Sequence, residues 1–373
     1  MAEDQNNEES SSFCWWKSIP EFKSPDDSLK SSSSSIFKVF RELERLRMLS
    51  EEGVDELKHK LMVYKSGDFW LPIGGIKKED MDIPPIITVL LVGLSGSGKS
   101  SLVNLMYSVL GRSGLIPFSQ TSNESSNYST MILEEHNVLR SHRNGFCVYD
   151  SRGLDVNRME EGLEEVTEWM TDGIRHNQPC RFGEDDVGVS LNCSAVGFVK
   201  RRVNYVVAVA NLADVYKAFF SGGDFTTVTA IKSLFHCPSI RTSNTDPILI
   251  LTHGDMLQPM ERINGRIQIC SYLGIPVTNG VYDIACLTEQ GILFEGSDDV
   301  TSFALTEAIY RVLLQSDRTH SPKKTYKDRI IYILSRVMCL FAWFFGMLSR
   351  IFQKWGDKQK IYNSTSIIPK KTR

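Results

Sequence analysis

The sequence predicts an α/β fold with a mostly parallel sheet, one antiparallel edge strand, a helical N-terminal extension and a hydrophobic, basic C-terminal tail. From Ile86 onward, short β-rich runs alternate with longer stretches of helical periodicity, which is typical of βαβ units. The predicted strands are 86–92, 131–139, 145–149, 204–210, 247–252 and 281–287. The predicted helices are 99–110, 159–176, 224–235, 257–273 and 299–316. The second and third strands follow each other directly, and their linker, 140–144, suits a hairpin, which predicts the antiparallel edge strand.

Length and composition exclude several classes of protein. The chain has 373 residues, of which 42% are hydrophobic and 23% charged, close to globular averages. This argues against a collagen, a fully disordered chain or a multi-span membrane protein. The eight cysteines include no CxxC pair, so we expect a reduced, intracellular chain. The polar N-terminus has no apolar core region, so a secretory signal peptide is not expected.

Charge is unevenly distributed along the chain. The formal net charge is −3, but residues 321–373 hold twelve Lys/Arg against two Asp/Glu, a balance of +10. The acidic remainder disfavours nucleic-acid binding, so no nucleic-acid partner is expected. The basic tail is a candidate for contact with an anionic surface.

The composition divides the chain into four parts. Residues 1–34 are rich in Ser, Asp and Glu and are predicted to be disordered, except for the aromatic cluster 13–16, which we expect to dock on the body of the protein or on a partner. Residues 35–82 form a helical extension, in which residues 50–53 are expected to break the periodicity and create a helical hairpin; a coiled-coil partner helix is the alternative. Residues 83–320 form the α/β domain and residues 321–373 the tail.

The strongest motif follows the first predicted strand. Residues 93–100 read Gly-Leu-Ser-Gly-Ser-Gly-Lys-Ser and match G-x-x-x-x-G-K-[ST] between a strand and a helix, a phosphate-binding loop. Its glycines allow the backbone N–H groups to curl around phosphates, and the helix N-terminus adds partial positive charge. We predict Lys99 to reach the β and γ phosphates in a catalytic role and Ser100 to ligate Mg²⁺. The predicted phosphate-binding residues are Gly93, Ser95, Gly96, Ser97, Gly98, Lys99, Ser100 and Ser101.

A second motif, D-x-x-G, ends the strand 145–149. Ligands of open α/β sheets bind at the carboxyl ends of strands. We predict Asp150 to hold Mg²⁺ together with Ser100, and the N–H of Gly153 to contact the γ-phosphate. A threonine ahead of the second strand is expected to complete the site in a catalytic role. Thr121, Ser125 and Thr130 are the candidates, of which Thr130 is best placed.

A third motif follows the strand 247–251. Thr252-His253-Gly254-Asp255 matches [NT]-K-x-D except for the histidine. A carboxylate at Asp255 would accept hydrogen bonds from guanine N1–H and N2–H₂, donors that adenine lacks. Thr252, His253 and Asp255 are therefore predicted to bind the base. Residues 284–286 are candidates for the last base-contacting loop.

The order of these motifs is characteristic of a P-loop NTPase with a Ras-like G domain. Residues from about 84 to 318 resemble the GTPase-like domain of the interferon-induced protein 44 family and, more loosely, immunity-related and AIG1-type GTPases. The stretches 89–104, 119–122, 146–154 and 249–255 carry the resemblance. The resemblance implies a G domain that binds GTP and GDP with Mg²⁺, but not uniform hydrolysis.

The functional hypothesis is a guanine-nucleotide-binding switch with slow or partner-stimulated GTP hydrolysis. Leu154 stands where a water-orienting Gln would be expected, and self-association through the G domain is one way to supply the missing group. The alternatives are an ATP-using P-loop enzyme and a scaffold that binds nucleotide without hydrolysing it.

The tail predicts membrane contact. Residues 330–348 include sixteen apolar residues in nineteen, with basic residues on both sides. Residues 323–360 are therefore expected to span a membrane or to lie in its interface, with the G domain in the cytoplasm or on the cytosolic face; packing on the G domain is the alternative.

Overall fold

A computed structural model of the chain describes residues 14–19, 32–72, 75–111, 119, 130–139, 145–180, 197–241, 246–285, 299–323 and 326–365. The chain divides into two compact units. The first spans Met1–Lys78 and Ile83–His320, and the second spans Glu79–Asp82 and Ser321–Arg373.

The first unit contains a seven-stranded sheet. Its strands are β1 (Ile87–Gly93), β2 (Ile132–His136), β3 (Phe146–Asp150), β4 (Gln178–Pro179), β5 (Tyr205–Asn211), β6 (Ile248–Thr252) and β7 (Val281–Asp283). The spatial order is β4-β2-β3-β1-β5-β6-β7. β3, β1, β5, β6 and β7 pair in parallel, and β2 is antiparallel to β3, with the two-residue β4 beyond it. The predicted α/β class, the mostly parallel sheet and the antiparallel strand at one edge are confirmed.

The helices lie on both faces of this sheet. They are α1 (Ser32–Val63), α2 (Lys99–Leu110), α3 (Met159–Asp172), α4 (Leu212–Phe220), α5 (Phe225–Phe235), α6 (Pro259–Leu273) and α7 (Asp299–Arg318). All seven residues of β1 are buried, and successive side chains alternate between two cores. Val89 and Leu91 pack with residues of α1, α2 and α7, whereas Leu90 and Val92 pack with residues of α3 to α6. A strand covered on both faces is continuously apolar, as the sequence of β1 is.

The predicted helical hairpin is wrong, because α1 is one continuous helix. Ser50 donates its hydroxyl to the carbonyl oxygen of Arg47 within the helix and so does not start a second one. Gly53, an unfavourable residue in a helix, faces the ring of Phe303 on α7, where an added Cβ would lie 3.0 Å from the ring. The close approach of two helices therefore accounts for the glycine.

Residues 32–34 depart from the predicted disorder, because they belong to α1. α1 begins at Ser32, inside the serine run. Its apolar residues Val39, Phe40 and Leu43 share a small core with Ile263 of α6. Residues Trp15–Ser18 form a 3₁₀ turn, in which Trp16 is buried. Residues 14–16 of the aromatic cluster therefore dock on the body of the protein, because burial of the indole rings offsets the entropy lost on ordering. Phe13 lies outside the described residues.

The helix α4 is absent from the sequence-based assignment. It has nine residues and begins directly after β5, with the side chain of Asn211 accepting from the N–H groups of Ala213 and Asp214 as an N-cap. A short helix that follows a strand without a loop gives little periodic signal.

The second unit contains α8 (Tyr326–Thr365). Residues Ile330–Gly356 of this helix have a mean hydropathy of 1.9, and none of the window is buried. By length and composition alone, this stretch could cross a membrane.

Candidate functional site

The first part of the candidate site is the loop between β1 and α2. Gly96 and Gly98 have φ angles of 72° and 82°, a region that residues with a side chain rarely adopt. A Cβ added at Gly93 would lie 2.2 Å from the carbonyl oxygen of Val209. Because α2 begins at Lys99, the first N–H groups of the helix lie at the end of this loop. The loop therefore has the backbone conformation and the amide donors that bind a phosphate.

Lys99 is buried within this loop. Its Nζ donates to the carbonyl oxygens of Gly93 (3.2 Å) and Leu94 (3.1 Å) and to Oγ of Ser97 (3.3 Å). Burial lowers the pKa of Lys99 to about 8, and the nearby carboxylate of Asp150 opposes this effect. All three acceptors are uncharged, so these contacts do not neutralise the ammonium group. It keeps its attraction for an anion.

The hydroxyl of Ser100 links the carboxyl group of Asp150, at the end of β3, to the hydroxyl of Thr130. Oγ of Ser100 donates to Oδ2 of Asp150 at 2.6 Å, and Oγ1 of Thr130 lies 3.3 Å from Oγ of Ser100. Asp150 is 0% exposed, and its Oδ1 has no hydrogen-bond partner among the residues that the structure describes. Burial raises the pKa of Asp150, whereas Ser100 and Lys99 oppose that shift. The three predicted residues Ser100, Thr130 and Asp150 therefore come together around an unpartnered, buried oxygen.

This set of oxygen atoms fits Mg²⁺. In the described ranges, no group of three or more His, Cys, Asp or Glu side chains is arranged to hold a metal ion. Mg²⁺ does not need such a cage, because it binds oxygen and usually combines one or two carboxylates with water and substrate phosphates. One buried carboxylate beside two hydroxyls and a phosphate-binding loop meets that requirement.

The loop after β3 lies directly against the phosphate-binding loop. The N–H of Leu154 donates to the carbonyl oxygen of Gly93 (3.0 Å), and the N–H of Ser95 donates to that of Leu154 (2.9 Å). A Cβ added at Gly153 would lie 2.4 Å from Cα of Ser95. The glycine of the D-x-x-G motif is therefore required by the contact between two backbones.

The residues after β6 also contact the phosphate-binding loop. Oγ1 of Thr252 donates to the carbonyl oxygen of Ser97 at 2.8 Å and lies 2.9 Å from Nδ1 of His253. A hydroxyl has one hydrogen, so a donor at Nδ1 of His253 completes this chain of hydrogen bonds. His253 has a φ angle of 56°, and its ring lies 3.1 Å from the position of a Cβ on Gly98. The histidine that replaces the expected lysine thus packs against the phosphate-binding loop.

Asp255 lies in the 3₁₀ turn Gly254–Met256, and its side chain is exposed. The hydroxyl of Thr252 ties the start of this turn to the Ser97 carbonyl of the phosphate-binding loop. Ile284 and Ala285 follow β7 and are both buried, and Cys286 lies outside the described residues.

Two residues of the site have no role assigned from sequence, although both fall within the stretches that carry the family resemblance. Asn104 of α2 holds Ser119 through two hydrogen bonds, with its Nδ2 donating to the Ser119 carbonyl (2.9 Å) and its Oδ1 accepting from the Ser119 N–H (2.8 Å). Ser119 in turn donates its hydroxyl to Oδ2 of Asp150 at 3.0 Å. The signal that could have found Asn104 is a polar residue on the apolar face of α2, where it is 2% exposed.

The remaining predicted residues have simpler positions. Ser95 contributes its N–H to Leu154, as described above. Ser101 follows Ser100 in α2, about 100° further around the helix axis, and is half-buried. Thr121 and Ser125, the alternatives to Thr130, lie outside the described residues.

The chain has a Ras-like P-loop fold. The observation that decides this is the phosphate-binding loop after β1, at the centre of the sheet, with the other two motifs at the ends of β3 and β6. Comparison with protein-family models gives no match, and comparison with curated proteins gives none either. The resemblance to the interferon-induced protein 44 family therefore stays a prediction.

Similar solved structures include the Arl6 BBS3 small GTPase from Trypanosoma brucei with bound GppNp, which is 14% identical with a TM-score of 0.32 and covers 62% of this chain and 98% of its own. Toc33 from Arabidopsis thaliana in complex with GDP and Mg²⁺ is 16% identical with a TM-score of 0.32 and covers 69% of this chain and 93% of its own. A dimerization-deficient Toc33 mutant is 16% identical with a TM-score of 0.35 and covers 73% of this chain and 94% of its own.

A substitution at Gly153 tests the contact between the two loops. In Gly153→Ala, the new Cβ would meet the Ser95 backbone, so the loops must separate, and overpacking of this kind costs about 1–3 kcal/mol. We expect nucleotide affinity, measured with a fluorescent GDP analogue, to fall by about tenfold or more. Gly197→Ala is the control, since a Cβ there meets no atom of the described residues within 4 Å. Unchanged affinity in Gly153→Ala would show that the contact does not shape the site.

Proposed function

We propose that this protein binds guanine nucleotides together with Mg²⁺ and acts as a slow or partner-stimulated GTPase switch. The observation that carries the proposal is the hydrogen bond from Thr252 to the Ser97 carbonyl, 2.8 Å long. It fixes the Asp255 turn beside the phosphate-binding loop. A single elongated ligand could therefore place phosphates on the loop and a base on the turn.

At the phosphate end, the chain supplies charge and donors. The hydrogen-bond acceptors of Lys99 in the described part of the chain are uncharged, so it can exchange them for the β and γ phosphates, and the loop N–H groups bind the same phosphates. Ser100 and Asp150 would hold Mg²⁺, with Thr130 beside them. When bound, Mg²⁺ neutralises phosphate charge. The N–H of Gly153 is proposed to contact the γ-phosphate.

At the base end, Asp255 provides selectivity. Guanine presents N1–H and N2–H₂ to a carboxylate, whereas adenine presents no donor at those positions and would leave Asp255 unpaired. Discrimination by polar groups of this kind can reach roughly 10⁴-fold. His253, packed against Gly98, would lie alongside the base in place of a lysine stem.

The base preference is tested by titration of GDP, GTP and ATP at fixed Mg²⁺. The wild-type chain should prefer guanine strongly, and Asp255→Asn should weaken GDP binding by about tenfold or more while admitting xanthine nucleotides, because the amide can donate to the C2 carbonyl of xanthine. Asp172→Asn is the control, an exposed aspartate at the end of α3. Equal affinity for ATP and GTP would favour the ATP-using alternative.

Hydrolysis is proposed to be slow because Leu154 cannot orient water. Its side chain is 6% exposed and belongs to the core beneath β1 and β3. Its backbone is tied to the phosphate-binding loop at both N–H and carbonyl. A polar side chain here would therefore point into the core, and a partner or a second copy of the chain must supply the missing group.

The rate of GTP hydrolysis by dilute protein should be on the order of 10⁻⁴ to 10⁻³ per second. Leu154→Gln should not accelerate it, because the new amide replaces a buried apolar side chain, and its melting temperature should fall. Phosphate release at several protein concentrations measures the hydrolysis rates, and thermal denaturation followed by circular dichroism measures the melting temperature. A rate near one per second that does not depend on concentration would contradict the proposal of slow turnover, and a faster Leu154→Gln would contradict the orientation of this side chain.

We further propose that α8 binds a membrane and keeps the G domain on its cytosolic face. The stretch Ile330–Gly356 is 27 residues long, or about 40 Å as a helix, which exceeds the roughly 30 Å hydrocarbon core of a bilayer. Large side chains along it, including Phe341, Trp343 and Trp355, are more than half exposed. Such an apolar surface is unfavourable in water.

Fractionation of cells tests the membrane proposal. The full chain should sediment with membranes, whereas a chain ending at Ser321 and a full-length Leu340→Asp/Phe344→Asp variant should not, because central charges oppose insertion by about 2.5–3.5 kcal/mol each. Release by high salt or carbonate would indicate an interfacial helix, and release only by detergent a spanning one. If the full chain stays soluble, the membrane proposal is wrong.

A further inference from the structure

The N-terminal segment 14–19 is anchored close to the start of α6. Trp16 is 1% exposed, and its Nε1 donates to Oε1 of Glu44 on α1 at 2.8 Å. The residues that share this small core are Cys14, Trp16, Ile19, Val39, Phe40, Leu43 and Ile263. The position of Trp15 is therefore set by its neighbour Trp16, whose ring it meets edge to face at 5.7 Å.

Trp15 covers a buried ion pair. The guanidinium of Arg262 lies 4.2 Å from the centre of the Trp15 ring. Nε and Nη2 of Arg262 donate to the two carboxylate oxygens of Asp283 at 2.6 and 2.8 Å, and the side chains are 9% and 3% exposed. A bidentate pair of this kind has a fixed geometry, and the face of the indole adds a cation–π contact.

This ion pair supports the turn that carries Asp255. A Cβ added at Gly254 would lie 2.5 Å from Nε of Arg262 and 2.8 Å from Oδ1 of Asp283. The backbone of the turn therefore rests directly on the pair. Asp283 is the last residue of β7, and Arg262 lies in the first turn of α6. One ion pair thus joins a helix, a strand end and the base-reading turn.

We propose that the N-terminal segment is a working part of the base site, with Trp15 and Arg262 as positioning residues for Asp255. Trp15 shields the guanidinium of Arg262 from water and fixes the orientation of its plane. Arg262 and Asp283 therefore keep the turn that carries Asp255 in one position relative to the sheet. The inference rests on the proposed guanine binding and extends it: guanine affinity depends on a segment that precedes α1.

Nucleotide release and base preference test the role of Trp15. In the full-length chain, Trp15→Leu keeps apolar bulk and removes the aromatic face, whereas Trp15→Tyr retains an aromatic face. For Trp15→Leu we expect GDP release to become about tenfold faster and the ratio of GDP to ATP affinity to fall by a similar factor. Trp15→Tyr should stay within about threefold of wild type. The Mg²⁺ concentration required for binding should not change, because the phosphate end is intact.

Controls separate positioning from general loss of stability. Trp70→Leu alters another partly buried tryptophan, in the segment after α1, and should leave the GDP to ATP ratio unchanged. If wild type prefers guanine and folded Trp15→Leu keeps both its release rate and its ratio, the inference is overturned and the proposed function stands. If wild type shows no guanine preference, both are overturned. A parallel loss of affinity for GDP and ATP would assign Trp15 a purely structural role and would also overturn the inference.

Discussion

The carboxyl group of Asp150 is fully buried, at 0% exposure, at the end of the central strand β3, where an ionised group is costly. The hydroxyls of Ser100 and Ser119 both donate to one of its oxygens, and the other has no hydrogen-bond partner in the described part of the chain. Hydrogen bonds to a charged group contribute about 1.5–3 kcal/mol each, less than full burial of a carboxylate demands. An apolar residue would pack here at lower cost. The proposed Mg²⁺ would supply the compensation that these hydrogen bonds do not, with Ser100 and Ser119 already bonded to the carboxylate and Thr130 beside Ser100.

The topology brings the other groups to this point. β1, β3, β5 and β6 are parallel neighbours, so the loops at their carboxyl ends meet at one edge of the sheet. Backbone contacts then fix the loops against each other, through the paired Leu94 and Leu154 and through the Thr252 hydroxyl on the Ser97 carbonyl. Gly93 and Gly153 are needed because a Cβ at either position would lie within 2.5 Å of a neighbouring backbone atom. The shape of the phosphate end thus depends mainly on backbone geometry and strand order.

Motifs at strand ends could be predicted from the sequence, whereas contacts between distant segments could not. The positions of Lys99, Asp150 and Asp255 could be predicted because each follows an apolar strand in a motif of fixed spacing. The hydrogen bonds between Asn104 and Ser119 could not be predicted, since neither residue belongs to such a motif and they lie 15 residues apart in the sequence. The continuity of α1 through Gly53 could not be predicted either, because the compensating contact with Phe303 comes from a distant helix. The spacing of the motifs predicted which residues meet at the candidate site. The contacts that hold those residues in place come from segments that are distant in sequence and could not be predicted.

The phosphate end and the base end of the candidate site are therefore held in place by different interactions. At the phosphate end, loop backbones and buried hydroxyls hold one another within a few residues of the sheet. At the base end, the turn with Asp255 rests on Arg262 and Asp283, and a buried ion pair is sensitive to its surroundings because any loss of geometry leaves two desolvated charges poorly compensated. Trp15 is part of those surroundings. Under the proposed function, nucleotide is retained only while both ends hold it, so a change in the N-terminal segment would alter retention without altering any residue proposed to contact phosphate. The turn that carries Asp255 is therefore the part of the candidate site through which the N-terminal segment, remote in sequence, would act on a bound nucleotide.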